Sequence, residues 1–144
     1  MATPTHDSLT IAVLNDIHLN MDLIEKLKKY WFLRRISVDY LIVCGDLVNI
    51  SISEQENAEI VDESFKKCHE IIKELEKLCV HVLFVPGNHD PTTLFNNTMS
   101  HPVRLTKKSV NLHRVVYHLR QNLVIVGCGG SIPQYDKHIC HKGG

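Results

Sequence analysis

A chain of 144 residues with 44% hydrophobic side chains is long enough for one compact domain with its own core and too short for two. Its 16 Lys and Arg balance 16 Asp and Glu, so no overall field draws it to nucleic acid or to an anionic membrane, and function must come from a local site. No apolar run reaches membrane-spanning length, and the N-terminus lacks the basic cluster and long apolar stretch of a secretory leader. Five cysteines, odd in number and never spaced CxxC, suit reduced core residues, so the chain is expected in the cytoplasm. Ten histidines are the unusual count. Because His is the commonest metal ligand, their placement matters most.

In chain order, Leu9 to Leu14 is a short apolar run of strand formers that stops at Asn15-Asp16-Ile17-His18. Asn20 is placed to cap a helix in which Leu23, Ile24, Leu27, Tyr30 and Trp31 recur at helical spacing, ending near Ile36. Tyr40 to Cys44 is a near-continuous apolar run, the pattern of a strand buried on both faces, closed by Gly45-Asp46. Ala58, Val61, Phe65, Cys68, Ile72, Leu75 and Cys79 step by threes and fours through Glu and Lys, predicting a long amphipathic helix. Val80 to Val85 is a third strand, cut off at Pro86-Gly87. Residues 91–109, rich in Asn, Thr, Ser and Pro, read as a long loop. Val115 to Leu119 and Leu123 to Val126 read as a hairpin, followed by a flexible Gly127–Gly130 turn.

Three strands separated by two helices make a βαβαβ unit. The fold class is therefore α/β, a parallel sheet followed by a β-hairpin, with ligands expected beyond the carboxyl ends of the strands. Polar clusters stand at those three ends: Asp16 and His18, then Asp46, then Asn88, His89 and Asp90. They lie about 30 to 40 residues apart, the spacing of successive βαβ repeats, so the fold itself brings them together. Carboxylate, imidazole and amide oxygen suit Mn, Fe, Zn or Mg. An Asp between two such ions bridges them, and Asp46 on the middle loop is the natural bridge. Two cations sharing a water lower its pKa and neutralise phosphate oxygens, which is the chemistry of phosphoester hydrolysis.

Asp16-x-His18, Gly45-Asp46 and Gly87-Asn88-His89-Asp90 resemble, in order and separation, the first three motifs of the calcineurin-like metallophosphoesterases. The likeness covers roughly residues 9–130. It implies an α/β/β/α sandwich, of which this chain supplies a part, and two divalent ions held by Asp16, His18, Asp46 and Asn88. It also implies that His89 is the general acid, steadied by Asp90. The family's later Gly-His and Gly-His-x-His motifs have no counterpart before the chain ends at Gly144. The expectation is therefore a single domain over residues 1–144, truncated within the family fold. It would hydrolyse a phosphoester, either as a phosphatase or as a phosphodiesterase. The alternative is an inactive relative acting as a binding module through an uncovered sheet edge, on which a protein partner or a second copy would add a strand. A third reading places metal on Asp136, His138, Cys140 and His141. His69, His81, His101, His113 and His118 are assigned structural or solvent-facing roles, and Lys107-Lys108 a solvated surface.

Overall fold

The computed structural model describes residues 8–131. Four parallel strands, β1 (Ile11–Leu14), β2 (Tyr40–Cys44), β3 (Val82–Val85) and β4 (Val110–Asn111), lie side by side in sequence order. Leu14 pairs with Val43, and Cys44 with Val85. The loops that leave β1, β2 and β3 therefore start at nearly the same level on one edge of the sheet.

Two helices, α1 (Met21–Arg34) and α2 (Ala58–Leu75), connect the first three strands. Asn20 Oδ1 accepts the Leu23 N–H at 3.0 Å, and Asn57 Oδ1 accepts the Glu59 N–H at 3.0 Å, so each helix begins on an Asn cap. Alternation in β2 sends Leu41 and Val43 to the helix side, where they join Phe84, Ile24, Trp31, Cys68, Ile71 and Ile72 in the main core. Tyr40 and Ile42 face the other way. There they meet Leu83, Val85 and the inner side of a hairpin, β5 (Val116–Arg120) and β6 (Leu123–Val126), through Leu119, Tyr117 and Ile125.

Several boundaries depart from the sequence reading. The second helix stops at Leu75, but Leu78 and Cys79 turn back to donate to the Leu75 carbonyl at 2.9 and 3.2 Å, keeping both side chains on the same core. The helical period thus outlasts the helix. Strand β4 is two residues long, too short for any alternation to reveal it. Residues 91–109 contain a short 3₁₀ turn (Thr92–Asn96) and are fastened to β4. The Asn97 amide donates to the carbonyls of Asn111 (3.0 Å) and His113 (2.9 Å), while its oxygen accepts the Val103 N–H at 2.7 Å.

The Gly127–Gly130 turn is fastened too. The Gly129 N–H donates to His113 Nδ1 and the Gly130 N–H to the Pro86 carbonyl, at 3.0 and 2.8 Å. Of the cysteines described, Cys68 and Cys79 are buried, but Cys44 and Cys128 are exposed. Cys44 follows Tyr40 and Ile42 onto the side of β2 that the hairpin covers only in part. Beyond the hairpin's reach β1 pairs with β2 alone, and Val13 is 59% exposed.

Candidate metal centre

The loop after β1 takes an uncommon backbone path. Asp16 (φ 53°), His18 (φ 46°) and Leu19 (φ 61°) are all left-handed, and Asp46 (φ 52°) repeats this after β2. Non-glycine residues reach this region only when surroundings hold them there, and such strain collects at functional sites. Here backbone bonds between the two loops hold it: His18 N–H to Asp46 O and Leu19 N–H to Leu47 O, both 2.9 Å.

The result is a cluster. Donor atoms of Asp16, His18 and Asp46 all lie within 4.8 Å of one another. Ligands of one small divalent ion stand about 3 Å apart when adjacent and about 4.2 Å apart when opposite, given bonds of about 2.1 Å, so side-chain rotation closes this set on one ion. The imidazole is also oriented for that task. His18 Nδ1 donates to the Val48 carbonyl at 3.2 Å, which leaves the Nε2 lone pair free, 3.9 Å from Asp46 Oδ2. A metal-binding His characteristically has its other nitrogen fixed in this way. Asn15 Nδ2 donates to Asp16 Oδ2 at 2.6 Å, restraining the first carboxylate.

The third loop is drawn in by the carboxylate of the second motif. Asp46 Oδ1 accepts the His89 backbone N–H at 2.9 Å. The His89 ring backs onto the Ile50 carbonyl through Nδ1 at 3.2 Å and lies edge-on to the His18 ring, centroids 5.5 Å apart. Val48 and Ile50, two residues apart on one loop, therefore orient the two imidazoles. Neither could be found from sequence, because a carbonyl is common to every residue. Asn88 is exposed beside His89 on this loop.

Asp90 stands differently from the role that the resemblance implies. Its carboxylate accepts the Gly87 N–H at 2.8 Å and the Val48 N–H at 3.1 Å, and its side chain is 1% exposed. It ties the β3 loop to the β2 loop, and the contact that fixes the His89 ring comes from Ile50. Burial pushes its carboxyl up to about 6 against the pull of the backbone N–H groups of Gly87, Val48 and Leu47, and the nearby Asp46 charge adds to the rise. Gln55 reinforces the tie by donating to the Asp90 carbonyl at 2.8 Å.

The remaining histidines scatter. His69 donates through Nδ1 to the Leu105 carbonyl, His81 stacks on Tyr40 at 5.0 Å, and His101 and His118 are exposed. His113 is buried, packed edge-on to Phe95 at 5.1 Å, and its Nε2 has no partner among the described residues. The Asp136, His138, Cys140 and His141 cluster lies outside the described residues.

A parallel α/β sheet that delivers two carboxylates and an imidazole to one point beyond its carboxyl edge defines a domain with a site suited to a divalent cation. The profile of the calcineurin-like phosphoesterase family matches residues 9–144, and the chain belongs to that family. A comparison with curated proteins returned no match. No helix among the described residues is long and apolar enough to cross a membrane.

Proposed function

We propose that this chain is a metal-dependent hydrolase of phosphoric esters, working at the edge where the β1, β2 and β3 loops meet. The convergence of Asp16, His18 and Asp46 donors within 4.8 Å carries this reading, together with the family. Asp16, His18 and Asp46 would hold one divalent ion, and Asp46 with Asn88 a second, drawn from Mn, Fe, Zn or Mg. When bound, such ions supply Lewis acidity toward phosphate oxygens and lower the pKa of water. His89, with its Nδ1–H committed to the Ile50 carbonyl, leaves Nε2 facing the site, and in its imidazolium form would hand the Nε2 proton to the leaving group. Asp90 acts by holding the His89 loop against β2.

A second reading rests on the exposed Val13 and the open side of β1: a binding module that recruits a protein partner or second copy by strand addition. One experiment separates the two. Purified chain is assayed with chromogenic phosphate mono- and diesters in Mn²⁺ beside Asp46→Asn. Turnover that disappears in the variant supports hydrolysis. Folded chain that binds no metal and turns over neither ester overturns it and favours the binding module.

A further inference from the structure

Neutral net charge conceals a sharply uneven stretch. Lys26, Lys28, Lys29, Arg34 and Arg35 fall within ten residues that contain no carboxylate, in a chain whose 16 bases and 16 acids balance only as a whole. Between these cations run Tyr30, Trp31, Phe32 and Leu33, the last turn of α1. At 100° per residue one side chain of four points inward, and here it is Trp31, buried in the main core. Its neighbours consequently fan out into solvent. Phe32 is 84% exposed, Leu33 76% and Tyr30 53%, an apolar cluster left largely uncovered by the described residues.

The charges around it are distributed to one purpose. Lys28 and Lys77 are paired with Glu74 at 2.6 Å, and Lys28 also with Glu25. Lys26, Lys29, Arg34 and Arg35 have no acidic partner among the described residues, and the Arg34 guanidinium rests over the Tyr30 ring at 5.8 Å. Beside the exposed cluster lies an open groove of about 830 Å³ floored by Trp31, Ile36 and Leu78 and rimmed by Arg35 and Lys77. Apolar side chains standing proud among Lys26, Lys29, Arg34 and Arg35, beside a hollow that Arg35 also lines, suit a bilayer surface. Acyl chains meet the apolar cluster and anionic headgroups meet its rim.

We propose that the C-terminal end of α1 is a peripheral docking surface for an anionic lipid bilayer, with Phe32 and Leu33 as the inserting side chains. The position favours such a role. α1 runs antiparallel to the strands, so its C-terminal end lies about 21 Å along the helix from the Asp16–His18 loop. A bound membrane would leave the metal centre open at the other edge. The inference is independent of whether that centre turns over phosphoesters.

The test is co-sedimentation of the whole chain with vesicles of phosphatidylcholine alone and of phosphatidylcholine mixed with phosphatidylserine. The variants are Phe32→Ser/Leu33→Ser and Arg34→Glu/Arg35→Glu. All four side chains are exposed, so far-UV circular dichroism and the emission of Trp31, the sole tryptophan, are expected to stay unchanged. The expected result is pelleting with the anionic vesicles only, weakened by physiological salt, and an affinity reduced about tenfold or more in either double variant. Equal pelleting with neutral vesicles, pelleting indifferent to both variants, or no pelleting overturns the proposal. So does self-association that Phe32→Ser/Leu33→Ser abolishes in chain that ignores vesicles, since the face would then belong to a second copy.

Discussion

Asp46 reaches two motifs at once: its Oδ1 accepts the His89 backbone N–H at 2.9 Å while its Oδ2 lies 3.9 Å from His18 Nε2. One carboxylate thus serves both as loop fastener and as the charge nearest the imidazole. The two tasks separate by mutation. Asp46→Asn keeps an oxygen for the His89 N–H and loses the charge, whereas Asp46→Ala loses both. Calorimetric titration with Mn²⁺ is expected to show binding weakened at least about tenfold in each. Urea denaturation of metal-free protein is expected to show Asp46→Ala less stable than Asp46→Asn by about 1 kcal/mol. Equal stability of the two variants would mean that the His89 tether contributes nothing.

Asp90 makes stability depend on pH in an unusual direction. Burial raises its carboxyl from 3.8 to about 6, so folding favours the protonated form. The stability gained by that form is complete below the ordinary carboxyl pKa and lost as pH rises through about 6. The shift corresponds to an upper limit on the order of 3 kcal/mol. His113 pulls the other way, because burial lowers its pKa and its contribution is lost as pH falls. The difference between wild type and Asp90→Asn isolates Asp90. In chelator, chemical denaturation is expected to show that wild type gains stability relative to the variant between pH 7.5 and pH 5. A difference that is flat with pH would remove Asp90 from the account.

Close backbone approach explains why two motifs each carry a glycine. A Cβ on Gly87 would stand 2.1 Å from Asp46 Oδ1 and 2.3 Å from Asp46 N, and one on Gly45, at φ +85°, would stand 2.7 Å from Gly87 Cα. Each glycine makes room for the other loop. Gly87→Ala must push Asp46 away from its present position. The expected outcome is Mn²⁺ affinity lowered about tenfold or more, out of proportion to any change in urea midpoint. Unchanged affinity would show that Asp46 tolerates the displacement and that the loops are less tightly coupled than their contacts suggest.

The sequence revealed those features that depend on side-chain pattern. Alternation, helical period and capping residues placed β2 to the residue and α1 nearly so, and motif spacing brought Asp16, His18 and Asp46 to one edge. It could not reveal what main-chain atoms do. The Val48 and Ile50 carbonyls that aim two imidazoles, and the Gly87 and Val48 N–H groups that claim the Asp90 carboxylate, leave no mark in residue identity. Asp90 is the instructive case: adjacency to His89 suggested a partnership, but a turn sends successive side chains in different directions. The segment before β4 reads as a loop in the sequence because its order comes from buried amides, and Asn is ordinarily a sign of turns.

Asn97 supplies that order. It is 1% exposed and makes three bonds, donating to the carbonyls of Asn111 and His113 and accepting from Val103. Asn97→Ala leaves those buried groups without partners and is expected to cost about 2–4 kcal/mol. Asn97→Asp is the sharper probe, since it keeps the acceptor for Val103 but turns an oxygen toward two carbonyl oxygens. It is expected to be less stable than the alanine variant despite being closer in shape, because a buried charge would face two like dipoles. Urea midpoints of the three proteins provide the check. An aspartate variant as stable as wild type would mean that the amide's two donated bonds do not hold residues 91–109 against β4.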